Sequence, residues 1–270
     1  MTAPSPGGNW NDLKTRILSA AAMLGVGAGE IFLGGIWFQM IVVFVCGVMI
    51  WELTRMIRPS TEISGMLLAA LTASILSGVL AAGIGWHLLL LFVVPIIGAI
   101  RFPAHAVLFF GFALYLQIGG VALVYFRNTY GLTFVLWLLA VVIATDILGY
   151  FAGRLIGGPK FWPKVSPKKT WSGTIAGWVG AAGAGAAFMA PLDQGWLIIP
   201  VSIAVSLASQ IGDIAESALK RYFGVKDSSN LIPGHGGVFD RFDALMGACV
   251  MVLILTFAGW PVAWPCGGCS

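Results

Sequence analysis

The sequence predicts an all-α, polytopic transmembrane protein with about nine transmembrane helices and a cytoplasmic N-terminus. Three observations lead there. Hydrophobic residues make up 59% of the 270 and charged residues only 10%, whereas a soluble domain carries about a quarter charged residues. The apolar residues are gathered into stretches close to the ~20 residues that cross ~30 Å of hydrocarbon. The basic residues fall in clusters between those stretches.

Residues 1–12, rich in Pro, Gly and Asn, are expected to be irregular or interfacial. Apolar stretches follow at 17–29, 31–51, 64–82, 84–100, 104–126, 132–152, 173–191, 196–215 and 242–260. Only Glu30 separates the first two. They form either two crossings or one re-entrant element and one crossing, giving nine or eight in all. Nine crossings from a cytoplasmic N-terminus put all 15 basic residues except Arg127 on the cytoplasmic side, as positive-inside bias requires. The opposite side receives Glu30, Arg127, Asp193 and the tail. Eight crossings would strand Lys14 and Arg16 outside. No cleavage site ends the first apolar run, so no cleavable leader is expected.

The N-terminal stretches carry frequent Gly and Ala, as suits close helix packing in lipid, and few ionisable groups. Residues 1–130 therefore read as structural, lipid-facing helices. Glu52 and Glu62 stand at stretch ends and read as interfacial, as do His87 and His105. Among the four cysteines, Cys46 and Cys249 sit in apolar runs and read as packing residues. Cys266 and Cys269 form a lone CxxC in the tail, a weak redox or metal pattern.

The polar residues gather in 131–270. Asp146 lies inside an apolar run, where a carboxylate costs ~3 kcal/mol and needs a cavity or a partner such as Arg154. Lys168 and Lys169, flanked by Ser166 and Thr170, offer charge and hydroxyl donors to a phosphate chain. The same lysines would serve topology or anionic headgroups. On a helix, Ser209, Asp213, Glu216 and Lys220 fall on one face, a polar stripe that must face protein or water. After the polar turn at Lys226-Asp227, the glycines 234, 236 and 237 around His235 leave amides open for close approach to phosphate. Asp240 and Asp243, at i and i+3, share a face of the last helix. These carboxylates beside Lys220, Arg221 and Arg241 make the charge pattern of a Mg²⁺–nucleotide site. Nothing in the pattern points to nucleic acid.

The segment from Ser217 through Lys220, Arg221, Lys226, Asp227, Pro233, His235, Gly236, Gly237, Asp240 and Arg241 to Asp243 closely resembles the phosphatidate cytidylyltransferase (CDP-diacylglycerol synthase) signature. Asp146 to Arg154, and Ser166 to Trp171, are similar to further motifs of that family. The resemblance covers about 140–260. It departs at Ser172, where such proteins usually carry Glu, and at Ser229-Asn230. It implies transfer of CMP from CTP to phosphatidate, with Mg²⁺ and room for a second metal or a monovalent ion. It also implies a homodimer in the bacterial inner membrane, with 131–270 as the catalytic region facing the cytoplasm. On this reading Asp213, Asp240 and Asp243 hold the metal, with Glu216 a further ligand. Lys220, Arg221 and Arg241 meet phosphates, Lys168 and Lys169 bind the triphosphate or headgroup, and His235 orients a phosphate or shapes the turn. A CTP-dependent polyprenol kinase and an ion-coupled transporter are the alternatives.

Overall fold

Every apolar stretch seeds a helix in the computed structural model, which describes residues 8–83 and 85–259. The α-helices are α1 (Gly8–Leu33), α2 (Gly35–Ile57), α3 (Glu62–Ala82), α4 (Val93–Arg101), α5 (Ala106–Thr129), α6 (Gly131–Leu155), α7 (Trp171–Ala187), α8 (Ile198–Tyr222) and α9 (Phe239–Phe257). The protein is an all-α polytopic membrane protein. Five of the described helical segments are long and apolar enough to cross a bilayer: α2, α3, 103–129 around α5, α6 and α8. The rest fall short for local reasons. A 3-10 turn at Trp86–Phe92 takes up half of the fourth stretch and leaves α4 short. α7 ends at Ala187, and α9 opens with Asp240, Arg241 and Asp243.

The first two helices are divided at Gly34, not at Glu30. Gly34 and Gly35 both adopt positive φ, a conformation that only glycine reaches cheaply. Arg127, the one basic residue expected on the far side, donates from Nε to the carbonyl of Ile31 (3.1 Å) in the last turn of α1. A cation there complements the helix dipole. α1 already runs through the segment expected to be irregular, from Gly8 onward. Residues 1–7 and the Cys266/Cys269 pair lie outside the described residues.

The helices that carry the polar motifs pack on one another. α6 lies on α7, α7 on α8, and α8 on α9, while α2 packs on α3 and α5. Lipid offers no hydrophobic gain for helix association, so contact rests on close packing and interhelical hydrogen bonds. The Trp137 indole donates to Ser202 Oγ (3.0 Å) and Thr145 Oγ1 to Ser206 Oγ (2.7 Å), tying α6 to α8. A side chain on Gly173 of α7 would place its Cβ 2.5 Å from the carbonyl oxygen of Gly149 on α6. Gly173→Ala is therefore expected to destabilise by ~1–3 kcal/mol, the usual cost of overpacking. A detergent melting curve superimposable on wild type would refute that.

Between α6 and α7 the expected loop contains a hairpin. β1 (Lys160–Trp162) pairs antiparallel with β2 (Ser166–Thr170), Lys160 opposite Thr170 and Trp162 opposite Ser166. Thr170 then caps α7, its Oγ1 accepting from the Gly173 amide (3.2 Å). The hairpin delivers Lys168 and Lys169 to the helix ends.

Candidate active site

A cavity of about 380 Å³ opens where α6, β2, α7 and α8 meet. Asp146 and Arg154 line it from α6, Lys168, Lys169 and Thr170 from β2, and Gln210 and Asp213 from α8. Lys169 Nζ lies 2.5 Å from Asp213 Oδ2 and 3.4 Å from the Gln210 carbonyl. Asp213 Oδ1 accepts a long hydrogen bond from Ser217 (3.4 Å). Arg154 donates to the Tyr150 hydroxyl (2.7 Å) and forms no ion pair with Asp146 among the described residues. The Asp146 carboxylate is therefore left to the cavity.

A second cluster sits at the joint of α8 and α9. Lys220 Nζ contacts Glu216 Oε2 (2.5 Å) and Asp240 Oδ1 (2.6 Å). Asp240 Oδ2 accepts from the Ser228 amide (2.9 Å), the Ser228 hydroxyl (3.0 Å) and the Gly237 amide (2.8 Å). Asp240 stands ahead of the apolar run that starts at Phe242. Burial opposes its charge, but the bonds from Lys220, Gly237 and Ser228 outweigh burial and hold the carboxyl below the usual aspartate range. Asp243 is buried on the next turn of α9, where its Oδ1 accepts from the Ala244 amide (2.8 Å). It lies within electrostatic reach of Asp213, Asp146 and Lys220.

The four carboxylates expected as one metal shell are thus divided. Asp213 holds Lys169, while Glu216 and Asp240 share Lys220. Among the described residues no three His, Cys, Asp or Glu side chains converge as a preassembled metal cluster. Two lysines supply much of the neutralisation that the sequence reading assigned to a cation. Asp240 in particular has both oxygens occupied by protein donors.

Other predicted residues take local roles. Arg241 forks onto the His235 carbonyl through Nε (3.1 Å) and Nη2 (2.6 Å), and the His235 amide donates to Ile232 (2.9 Å). Both shape the turn. The Gly237 amide faces Asp240, so it is not free for phosphate, and Gly236 sits at φ 83°. Ser166 is outside the cavity lining. Arg221, Lys226 and Asp227 are exposed beyond the cluster. Ser172, where the resemblance expected Glu, donates to the Gly157 carbonyl (2.5 Å) and shares a bond with Thr170 (3.0 Å). It fastens the glycine loop to the start of α7.

Glu62 is exposed, as an interfacial residue should be, but Glu52 is fully buried. This corrects its reading as interfacial, and a helix of the segment read as structural thereby supplies a buried carboxylate to the polar motifs. Glu52 bonds to the 228–239 segment, across a sequence separation of 176 residues or more. Its only local sign was a carboxylate at the end of an apolar stretch.

Fold and site together define a polytopic membrane protein with a lysine- and carboxylate-lined cavity suited to an anionic, phosphate-bearing ligand. The model of the cytidylyltransferase family matches residues 14–258, and the chain belongs to that family. It is 34% identical over 260 residues to a phosphatidate cytidylyltransferase of Brucella abortus biovar 1 (strain 9-941), covering 90% of this chain and 93% of the relative. A phosphatidate cytidylyltransferase of Staphylococcus haemolyticus (strain JCSC1435) is 40% identical over 141 residues, 50% of this chain and 54% of the relative.

Proposed function

We propose that the chain catalyses CTP + phosphatidate → CDP-diacylglycerol + pyrophosphate. The observation that carries this reading is the single cavity bearing Lys168, Lys169, Arg154, Asp146 and Asp213. The phosphate of phosphatidate is largely dianionic near neutral pH, with a second pKa of about 6, so it attacks the CTP α-phosphorus without a strong base. The bond to the β-phosphate oxygen breaks, and pyrophosphate leaves with the electron pair. The protein's work is positioning and charge neutralisation. Lys168 and Lys169 meet the triphosphate, and Asp213 orients Lys169 from the opposite side. Lys220, held between Glu216 and Asp240, ties α8 to α9 and so holds the α8 side of the site in place.

The residues present fit Mg²⁺. Its usual protein ligands are one or two carboxylates, with substrate phosphates completing the shell. Asp213 and Asp146 open on the cavity and Asp243 is within electrostatic reach of both. Asp213 and Asp146 would hold it, Asp243 lies outside the cavity lining, and Asp240 would serve as the clamp on Lys220. Bound there, Mg²⁺ supplies neutralisation of phosphate oxygens.

The reading puts the cavity at the cytoplasmic face of a bacterial inner membrane. The clustering of basic residues at that end of the helices supports it. A homodimer is the assembly that goes with the resemblance, and cross-linking in native membranes tests it.

The deciding assay uses purified protein, phosphatidate vesicles and CTP labelled at the α-phosphate. CDP-diacylglycerol and pyrophosphate are expected in equal amounts, abolished by EDTA and restored by Mg²⁺. Release of CDP with a phosphorylated polyprenol would establish the kinase instead. Full activity in EDTA would remove the metal.

A further inference from the structure

Glu52 enters the site region from α2, and four donor groups reach its side chain, two on each oxygen. Oε1 takes the Ser229 hydroxyl (2.5 Å) and the Val238 amide (2.9 Å). Oε2 takes the Phe239 amide (2.6 Å) and the Ser228 hydroxyl (3.2 Å). No cation pairs with it among the described residues. Burying an uncompensated carboxylate is costly. Here the compensation is three unshared donors, the shared Ser228 hydroxyl and the positive end of a helix, because Val238 and Phe239 are the opening amides of α9. Val238, at the N-cap position, supplies no side-chain cap of its own. Glu52 is an external cap delivered by another helix.

The contacts continue past Glu52. The Ser228 hydroxyl lies between Glu52 Oε2 and Asp240 Oδ2 (3.0 Å), and a hydroxyl has one proton to donate. That proton serves one carboxylate at a time, so Ser228 couples the two, and Asp240 in turn holds Lys220. A Cβ on Gly237 would run into the Glu52 carboxylate and Ser228 Oγ, so the packing at this point leaves no slack. We infer that Glu52 is a positioning residue of the active site: it caps α9, sets the 228–229 turn and thereby fixes Asp240 and Lys220 relative to the cavity. The activity readout of this inference rests on the proposed reaction, whereas its structural readout does not.

Glu52→Gln keeps the shape but exchanges one acceptor oxygen for an NH₂ group, which faces two donors. The variant is expected to lower kcat by ~10–100-fold, because an error of about 1 Å in placement can cost 10² in rate. KM for CTP should stay within ~3-fold, since the Lys168/Lys169 cavity is untouched. Glu52→Asp restores the charge and should recover part of the lost kcat. Hydrogen exchange gives the second readout. The Val238 and Phe239 amides should exchange ~10-fold faster in Glu52→Gln, with α3 and α5 unchanged. If Glu52→Gln does not accumulate, Ser229→Ala removes one donor and should show the same two changes more weakly. Unchanged exchange at Val238 and Phe239, or turnover within twofold of wild type, would overturn the inference. So would a kcat loss that only follows the loss of folded protein, with no recovery in Glu52→Asp. If the wild type forms no CDP-diacylglycerol, the proposed reaction fails, and the exchange measurement still decides the role of Glu52.

Discussion

Asp213→Asn is expected to lower turnover by about 10²–10³-fold, the range found when one preorganised electrostatic group is removed from an active site. The fold should survive. Asparagine keeps the shape of the side chain, and the Lys169 and Asp213 side chains are 25% and 32% exposed. Solvent can therefore take over the lysine, and ion pairs with such access contribute at most about 1 kcal/mol. The unfolding midpoint in detergent should shift by only a few degrees while formation of CDP-diacylglycerol nearly stops. Turnover near the wild-type value would remove Asp213 from the chemistry, and with it one of the carboxylates proposed for Mg²⁺.

Lys220→Met should give the opposite signature, a loss of folded protein. The side chains of Lys220, Glu216 and Asp240 are 13%, 1% and 7% exposed, so removing the cation leaves two carboxylates buried without their partner. Oε1 of Glu216 already has no hydrogen-bond partner. Breaking a buried pair from one side typically costs about 3–5 kcal/mol, a large fraction of the ~5–15 kcal/mol that holds an ordinary domain folded. The physical claim is tested by the triple variant Lys220→Met, Glu216→Gln, Asp240→Asn. Neutralising all three should return much of the melting temperature but not turnover, since the ion pairs that position α8 against α9 are gone. If the single variant melts like wild type, the cluster is not the clamp described here.

The polar stripe Ser209, Asp213, Glu216 and Lys220 was legible because helical periodicity alone puts those positions on one face. The structure turns that face toward α9 and the hairpin. Asp146 was legible as a residue needing a cavity, because a carboxylate in an apolar run has few other places to go. The grouping of the charges was not legible. Spacing of i and i+3 made Asp240 and Asp243 look equivalent, yet one is saturated by Lys220, Ser228 and Gly237 while the other lies deeper. Which carboxylate takes a lysine depends on where the 228–237 turn folds back, and no local periodicity encodes that.

Sequence by itself determined that this protein is helical, polytopic and membrane-embedded, because lipid constrains composition and length before any contact forms. It also determined the family, through residues 140–260, and the presence of phosphate-suited charge in that half. Only the tertiary structure decided that Ser172 serves as a fastening residue, that the carboxylates are split between two lysines, and that Glu52 of α2 caps α9. Each of these rests on donors and acceptors brought together from distant parts of the chain. A buried polar group must find such partners wherever the packing supplies them, and packing is settled only when the helices meet.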